Sequence, residues 1–449
     1  MISFLLTEDA VNEANILHKT LLENQSVSFP PDRDKYPLSL LREGAMIGVM
    51  VLSTKGGERK VLYGFSGAMS GRYDIPGWVN PCFSLSLFHT TFDPYDKEIH
   101  RLTDLIEKEG REDLKEERRK LSAEAQEKLN GIFVFSAWDG GKVKGLPPRP
   151  RTGTGECAGL KLMNTALRKG WEIKGLAEFK WSKDKEIEEF FPPCEERCGV
   201  LMEEMLGLKY LYLDKSIAVV DKRAGMLSVP GRGIEKLDSV SYRFHTLFPS
   251  TPEVCHVHRL DMDTSGLLVL AFDKESVKDL MLQFENREVQ KTYIALLEGV
   301  IEEERGDIDM PIRLDVDHRP RQIVDWEHGK KAVTHWERIR VITTPEERFT
   351  LVRFYPHTGR THQLRVHAAE GLKHPIVGDN LYGHQRDGER LMLHAETIKF
   401  RHPKTKEEVE FTSPSPFCSL HKPIHQALKS IDLLLDIFYL HIDLISFTQ

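Results

Sequence analysis

His258-Arg-Leu-Asp-Met-Asp-Thr-Ser-Gly-Leu-Leu-Val-Leu270 changes character halfway along. Its first half is charged and turn-prone. From Gly266 to Ala271 it becomes an apolar run of the length of one buried strand. Working outward, Tyr210-Leu-Tyr-Leu213 and Ile217-Ala-Val-Val220, joined by Asp-Lys-Ser, read as a hairpin. Glu275 to Arg287 carries apolar residues at helical spacing. Further strand-like runs follow at Thr292 to Leu297, Val333 to Ile339 and Thr350 to Tyr355. Strands outnumber helices and do not alternate with them regularly. The fold class is therefore α+β, with a mixed, largely antiparallel sheet flanked by helices.

The 449 residues are too many for one ordinary core, so at least two domains are expected. The boundaries read as an accessory region at 1–205, a strand-rich domain at 206–420 and a tail at 421–449. Hydrophobic residues at 40% exclude a disordered chain. Lys+Arg at 62 against Asp+Glu at 69 gives a net charge of −7, so any nucleic-acid surface must be local. Residues 331–365 supply one candidate: Lys331, Arg338, Arg340, Arg348, Arg353, Arg360 and Arg365 against Glu337, Glu346 and Glu347. A solvated sheet edge would carry a similar excess.

The N-terminus lacks a basic region, a long apolar core and a small-residue cleavage site, so no signal peptide is expected and the location reads as cytoplasmic. The tail from Ile431 to Phe447 is apolar but interrupted by Asp432, Asp436 and Asp443. At about 100° per residue these three share one face, which suits an amphipathic tail helix rather than a membrane span.

The first 205 residues read as a separate α/β region. Met46 to Leu52 and Lys60 to Phe65 are strand-like. Residues 96–129 are dense in charge with apolar residues at helical spacing, and Gly110 divides two helices. Residues 139–155, rich in Gly, Pro and cations, read as a loop. The six cysteines are sparse, which suits a reducing compartment. Cys157, Cys194 and Cys198 are candidate zinc ligands, with Glu156 beside the first and Pro193 before the second. They faintly resemble zinc deaminases, but the ligand type and spacing differ and no fourth ligand is evident. Three reduced cysteines that merely pack are the simpler reading, and no metal is expected.

Three segments carry chemistry: His258 to Leu270, Lys291-Thr-Tyr293, and His357-Thr-Gly-Arg-Thr-His-Gln-Leu-Arg-Val-His367. Singly, each is ambiguous. An Asp before Thr-Ser-Gly can cap a turn, a Tyr on a strand can be core, and Thr358-Gly-Arg-Thr can open a helix that binds an anion or packs quietly. Together they resemble the three sequence motifs of the RluA-type family of pseudouridine synthases. The resemblance extends to Val220-Asp-Lys-Arg-Ala-Gly-Met-Leu-Ser-Val-Pro-Gly231 and His374-Pro-Ile-Val-Gly-Asp-Asn-Leu-Tyr-Gly383, and covers roughly residues 208–416. One departure is Arg223, where the family usually has Pro.

The resemblance implies isomerisation of a uridine already inside an RNA, without a cofactor. It makes Asp261 the catalytic carboxylate, Arg365 the cation that keeps it ionised, and Tyr293 the ring that stacks on the uracil. It makes Arg259 the residue that fills the space left by a flipped base, and it puts Lys291, Arg360, His362 and Gln363 among the RNA contacts. A salt bridge from Arg259 to Asp261 or Asp263 is the plainer alternative. The implied partners are large-subunit (23S) ribosomal RNA and/or tRNA, with no membrane and a monomeric chain. Two other readings stay open: a bifunctional enzyme whose first half modifies a base with a metal, and a non-catalytic RNA-binding ribosome-assembly factor.

Overall fold

The computed structural model describes residues 6–29, 35–146, 153–191, 199–384 and 390–417. The chain divides into two compact units. One holds residues up to Ala218 together with Tyr242–Glu253; the other holds Val219–Ser241 and the chain from Val254 onward. Among the described residues, no helix is long and apolar enough to cross a membrane. The expected tail helix lies outside the described residues.

The first unit opens with α1 (Glu8–Asn24). Thr7 starts it: its hydroxyl accepts the Ala10 N–H, satisfying one of the helix's orphan donors, and Glu8 and Asp9 complement the positive end. Ala10, Ala14, Leu17 and Leu21, spaced four, three and four apart, form its buried stripe. Next come β1 (Met46–Ser53) and β2 (Arg59–Phe65). Then α2 (Leu85–Glu109) and α3 (Lys115–Asn130) follow, parted at Gly110, whose φ of 71° ends the first helix. Helix α2 begins eleven residues before the charge-dense stretch that announces it. A small hairpin, β3 (Val134–Ser136) and β4 (Lys142–Lys144), takes up part of the segment expected to be loop.

Helix α4 (Ala158–Lys169), β5 (Glu172–Lys180), β6 (Phe190–Phe191), α5 (Gly199–Leu206) and β7 (Lys209–Leu213) complete the unit. Its sheet runs β2-β1-β5-β6, with antiparallel pairs throughout. Ile47, Val49 and Val51 on β1 join the α1 residues in one core with Phe65, Phe179 and Trp181.

Strand β8 (Ile217–Lys222) and helix α6 (Val240–Leu247) straddle the division. The Asp214 N–H bonds the Ile217 carbonyl, and the Asp214 carboxylate accepts the Ser216 and Ile217 N–H groups, closing the turn expected from Asp-Lys-Ser.

The second unit continues with β9 (Ser265–Ala271), α7 (Lys274–Glu285), β10 (Gln290–Glu298) and β11 (Arg305–Asp309). After these come β12 (Ile312–Leu314), β13 (Gln322–Val324), β14 (Val333–Thr343) and β15 (Arg348–Pro356). Helix α8 (Gln363–Val366), β16 (Leu393–Arg401) and β17 (Glu408–Thr412) close it. The main sheet runs β11-β14-β15-β10-β16-β9-β8, with β17 also on β16. Its β11, β14, β15, β10, β16 and β17 pairings are antiparallel, whereas β9 lies parallel to β16.

Every residue of β9 is buried, which explains its unbroken apolar run. In contrast, the first half of β14 alternates, with Thr334 and Trp336 facing the core and His335 and Glu337 turned from it. The core gathers Ile294, Leu296, Trp336, Phe349, Leu351, Phe354, Ile376 and Leu393. Gly266 is indispensable to the β9 approach: its φ is +110°, and a Cβ there would collide with the Ala395 carbonyl oxygen.

Candidate active site

Asp261 sits in the turn that feeds β9, where the Thr264 N–H bonds the Asp261 carbonyl. Both of its neighbours are tied to the segment that follows β8. The Ser228 hydroxyl donates to the Leu260 carbonyl at 2.7 Å, and Ser228 Oγ accepts the Leu260 N–H at 3.0 Å. The Met262 carbonyl accepts from the Gly225 N–H and from Lys222 Nζ at 2.8 Å. Lys222 is itself buried, and its ammonium also donates to the Arg223 and Met226 carbonyls. Burial pulls its pKa down to about 7 against the charges of Asp263 and Asp261.

Arg365 comes from α8. The sequence suggests a helix opening at Thr358, but α8 starts at Gln363 because His362 adopts φ 55°, a left-handed conformation. Arg365 Nη1 lies 3.9 Å from Asp261 Oδ2. Its Nε and Nη2 make a bidentate pair with Asp379 at 2.8 and 2.7 Å. Burial alone would push the guanidinium towards neutrality; the Asp379 hydrogen bonds and charge, with Asp261 adding to them, raise its pKa instead. Asp379 also accepts the Leu381 and Tyr382 N–H groups, so its side chain is fully engaged.

Tyr293 lies on β10 opposite Phe354 and Ala395. Burial raises its phenol pKa and the Asp261 charge raises it further, so the hydroxyl stays protonated beside an anion. Asp261 and Arg365 therefore meet although 104 residues separate them in sequence, and the Asp261 charge is felt at the Tyr293 phenol. This arrangement offers a carboxylate, a fixed cation and an aromatic face with a neutral hydroxyl.

The remaining sequence-predicted residues divide. Arg259 is exposed, and among the described residues it pairs with neither Asp261 nor Asp263. Lys291 stands over the Phe284 ring at 5.7 Å, with its ammonium pKa lowered by burial. Arg360 is exposed and anchored through Nε to the Lys331 carbonyl. His362 meets the Tyr382 hydroxyl at 2.8 Å. Gln363 departs from its expected role as an RNA contact. It is buried, accepts from Thr358 Oγ1 and the Arg360 N–H, and donates to the Val333 carbonyl and Thr334, so it braces the loop from within.

The cationic stretch 331–365 also proves less uniform than its composition. Arg353 pairs with Glu396 and Arg365 with Asp379, so neither belongs to a free basic surface. Reasoning from motifs missed Asp379, Tyr382, Lys222 and Ser228 as parts of the site. The signal was present in the two flanking segments that extend the resemblance, but no chemistry distinguished these residues from turn formers.

In the first unit, Cys157 precedes α4. Nearby, Lys161 Nζ donates to the Phe65 and Gly67 carbonyls, and the buried Glu178 accepts the Gly159 N–H. Cys194 and Cys198 lie outside the described residues. Among the described residues no group of three His, Cys, Asp or Glu side chains is placed to hold a metal.

Residues 216–370 match the family model of RNA pseudouridylate synthases. The chain is 42% identical over 210 residues to the dual-specificity RNA pseudouridine synthase RluA of Yersinia pestis, covering 46% of this chain and 98% of that protein. The RluA of Escherichia coli strain K12 is 40% identical over 213 residues, covering 47% and 94%. Among solved structures, human RNA Pseudouridylate Synthase Domain Containing 1 is 28% identical, covers 50% of this chain and 94% of its own, and has a TM-score of 0.40. With its motifs gathered around one carboxylate and nearly the whole length of these bacterial relatives represented in its second half, the chain belongs to the RluA-type family of RNA pseudouridine synthases.

Proposed function

We propose that this chain isomerises uridine to pseudouridine within structured RNA, with Asp261 as the reacting carboxylate. The observation that carries the reading is the Arg365 guanidinium 3.9 Å from Asp261, with the Tyr293 phenol within reach of the same charge. In this reaction the bond from ribose to a ring nitrogen breaks, the uracil turns, and a ring carbon bonds the sugar. The hydrogen on that carbon leaves and the freed nitrogen takes up a proton, so no electrons or groups are exchanged with a cofactor. Asp261 serves as nucleophile or base towards the sugar.

Arg365, held by Asp379, keeps an anion tolerable once the base has excluded water. Tyr293 stacks on the uracil, and its neutral hydroxyl can donate to the ring. A stacked uridine must first flip out, at about a few kcal/mol. The exposed Arg259, free of both aspartates, is suited to enter the space it leaves.

The relatives are named as dual-specificity enzymes, which supports more than one substrate RNA, with 23S ribosomal RNA and tRNA as the first candidates. We assign catalysis to residues 206–420, acting as a monomer because all three groups come from one chain. RNA selection or support falls to residues 1–205.

The test is Asp261→Asn, which keeps shape but removes the anion. RNA carrying tritium on the ring carbon that gains the sugar should release it with the natural chain and not with the variant, while RNA binding persists. Near-normal release by the Asn variant would overturn the assignment. Mapping pseudouridine in total RNA from a deletion strain identifies the target.

A further inference from the structure

Tyr382 turns its ring and its hydroxyl to different neighbours. The Arg365 guanidinium carbon lies 5.2 Å from the ring centroid, and that of Arg321 lies 5.6 Å from it. The hydroxyl accepts the Gln322 N–H at 2.7 Å and meets His362 Nδ1 at 2.8 Å. With one lone pair taken by Gln322, the phenolic proton is free to go to Nδ1, which leaves the imidazole its proton on Nε2.

Gln322 and Arg321 belong to the β12–β13 hairpin, registered Ile312 with Val324 and Leu314 with Gln322. Its connection is exposed from Val316 to Arg321. Asp315 there is occupied by His318 and by the N–H groups of Asp317 and His318. Among the described residues no carboxylate pairs with Arg319 or Arg321. Two exposed arginines without carboxylate partners suit a phosphate backbone.

We propose that Tyr382 is a positioning residue that couples this hairpin, as a contact for the RNA backbone, to the Arg365 guanidinium beside Asp261. Its ring sets the guanidinium plane, and its hydroxyl fixes the hairpin. This rests on the RNA-isomerase reading above. The two roles separate in kinetics, because removing a backbone interaction of equal strength in the ground and transition states moves KM alone.

Tritium release from a stem-loop RNA is measured for Tyr382→Phe, Tyr382→Leu, the pair Arg319→Ala/Arg321→Ala, and Tyr382→Phe combined with that pair. Tyr382→Phe should raise KM about three- to tenfold with kcat within about twofold. The arginine pair should do the same. Their combination should raise KM less than the product of the two effects, since coupled groups are not additive. Tyr382→Leu should lower kcat at least about tenfold. A fall in kcat at unchanged KM for Tyr382→Phe, or KM effects that simply multiply, would overturn the coupling. If Tyr382→Leu does not fold, the other three variants decide. A natural chain that releases no tritium refutes the isomerase reading and this proposal together; an active natural chain with the wrong split refutes the coupling alone.

Discussion

Asp379→Asn isolates what the second carboxylate does for the site. The substitution keeps an oxygen for the Leu381 and Tyr382 N–H groups, so the turn after Gly378 retains its acceptor. What disappears is the charge and half of the two-point grip on Arg365. The Arg365 side chain is 4% exposed and that of Asp379 0%, so water cannot replace the lost partner. Breaking a buried pair from one side costs about 3–5 kcal/mol, because the buried guanidinium keeps only the more distant Asp261 as a carboxylate.

For a unit of this size each kcal/mol moves the melting temperature by about 2–4 °C, so its transition should fall by about 6–20 °C. Calorimetry measures this directly. Pairing Asp379→Asn with Arg365→Met, which removes the guanidinium while the Asn oxygen still serves the Leu381 and Tyr382 N–H groups, should recover much of the loss while abolishing tritium release. A single Asn variant that melts within about 2 °C of the natural chain with normal turnover would refute the reasoning, because Arg365 would then need no second carboxylate.

Two further outcomes follow from the geometry. His258 Nε2 accepts the Val269 N–H at 3.0 Å, so the ring is neutral in the folded chain, and burial takes its pKa down to about 3. The unfolded chain binds that proton near pH 6.5, so stability is lost as pH falls from about 6.5 towards 3. His258→Gln, which accepts without titrating, should unfold in urea with about one proton less taken up over that range, and an unchanged pH dependence would contradict this. Gly266→Ala should prevent β9 from pairing with Ala395, since both φ and the collision with that carbonyl forbid a side chain. Circular dichroism of a well-folded, equally stable Ala variant would show the approach to be looser than described.

Much of the second unit was legible because its strands advertise themselves. Strand β10 is apolar through Ile294 to Leu297, and β14 alternates. The break at Gly110 was equally plain, since a glycine ended the periodicity. Strand β5 was not, because Glu172-Ile-Lys-Gly-Leu-Ala-Glu-Phe-Lys180 hides a buried Glu178 and a Gly175 among its apolar residues. The start of α8 was misplaced because a left-handed His362 has no sequence signature. In the site, Asp261, Tyr293 and Arg365 stood in motifs, whereas Asp379 follows Gly378 and looks like an ordinary turn residue. Its role emerges only when the chain folds back fourteen residues to Arg365.

Among the described residues, the ammonium of Lys222 donates to main-chain oxygens alone, those of Arg223, Met226 and Met262. A carbonyl is common to every residue type, so this clamp depends on the path of the chain and is indifferent to the side chains along it. A substitution at 223, 226 or 262 therefore leaves the lysine its acceptors, whereas loss of the lysine removes the clamp. The Arg223 side chain is exposed, so it changes what the turn shows to solvent and leaves intact the lysine's hold on the carbonyl of Met262, the residue after Asp261.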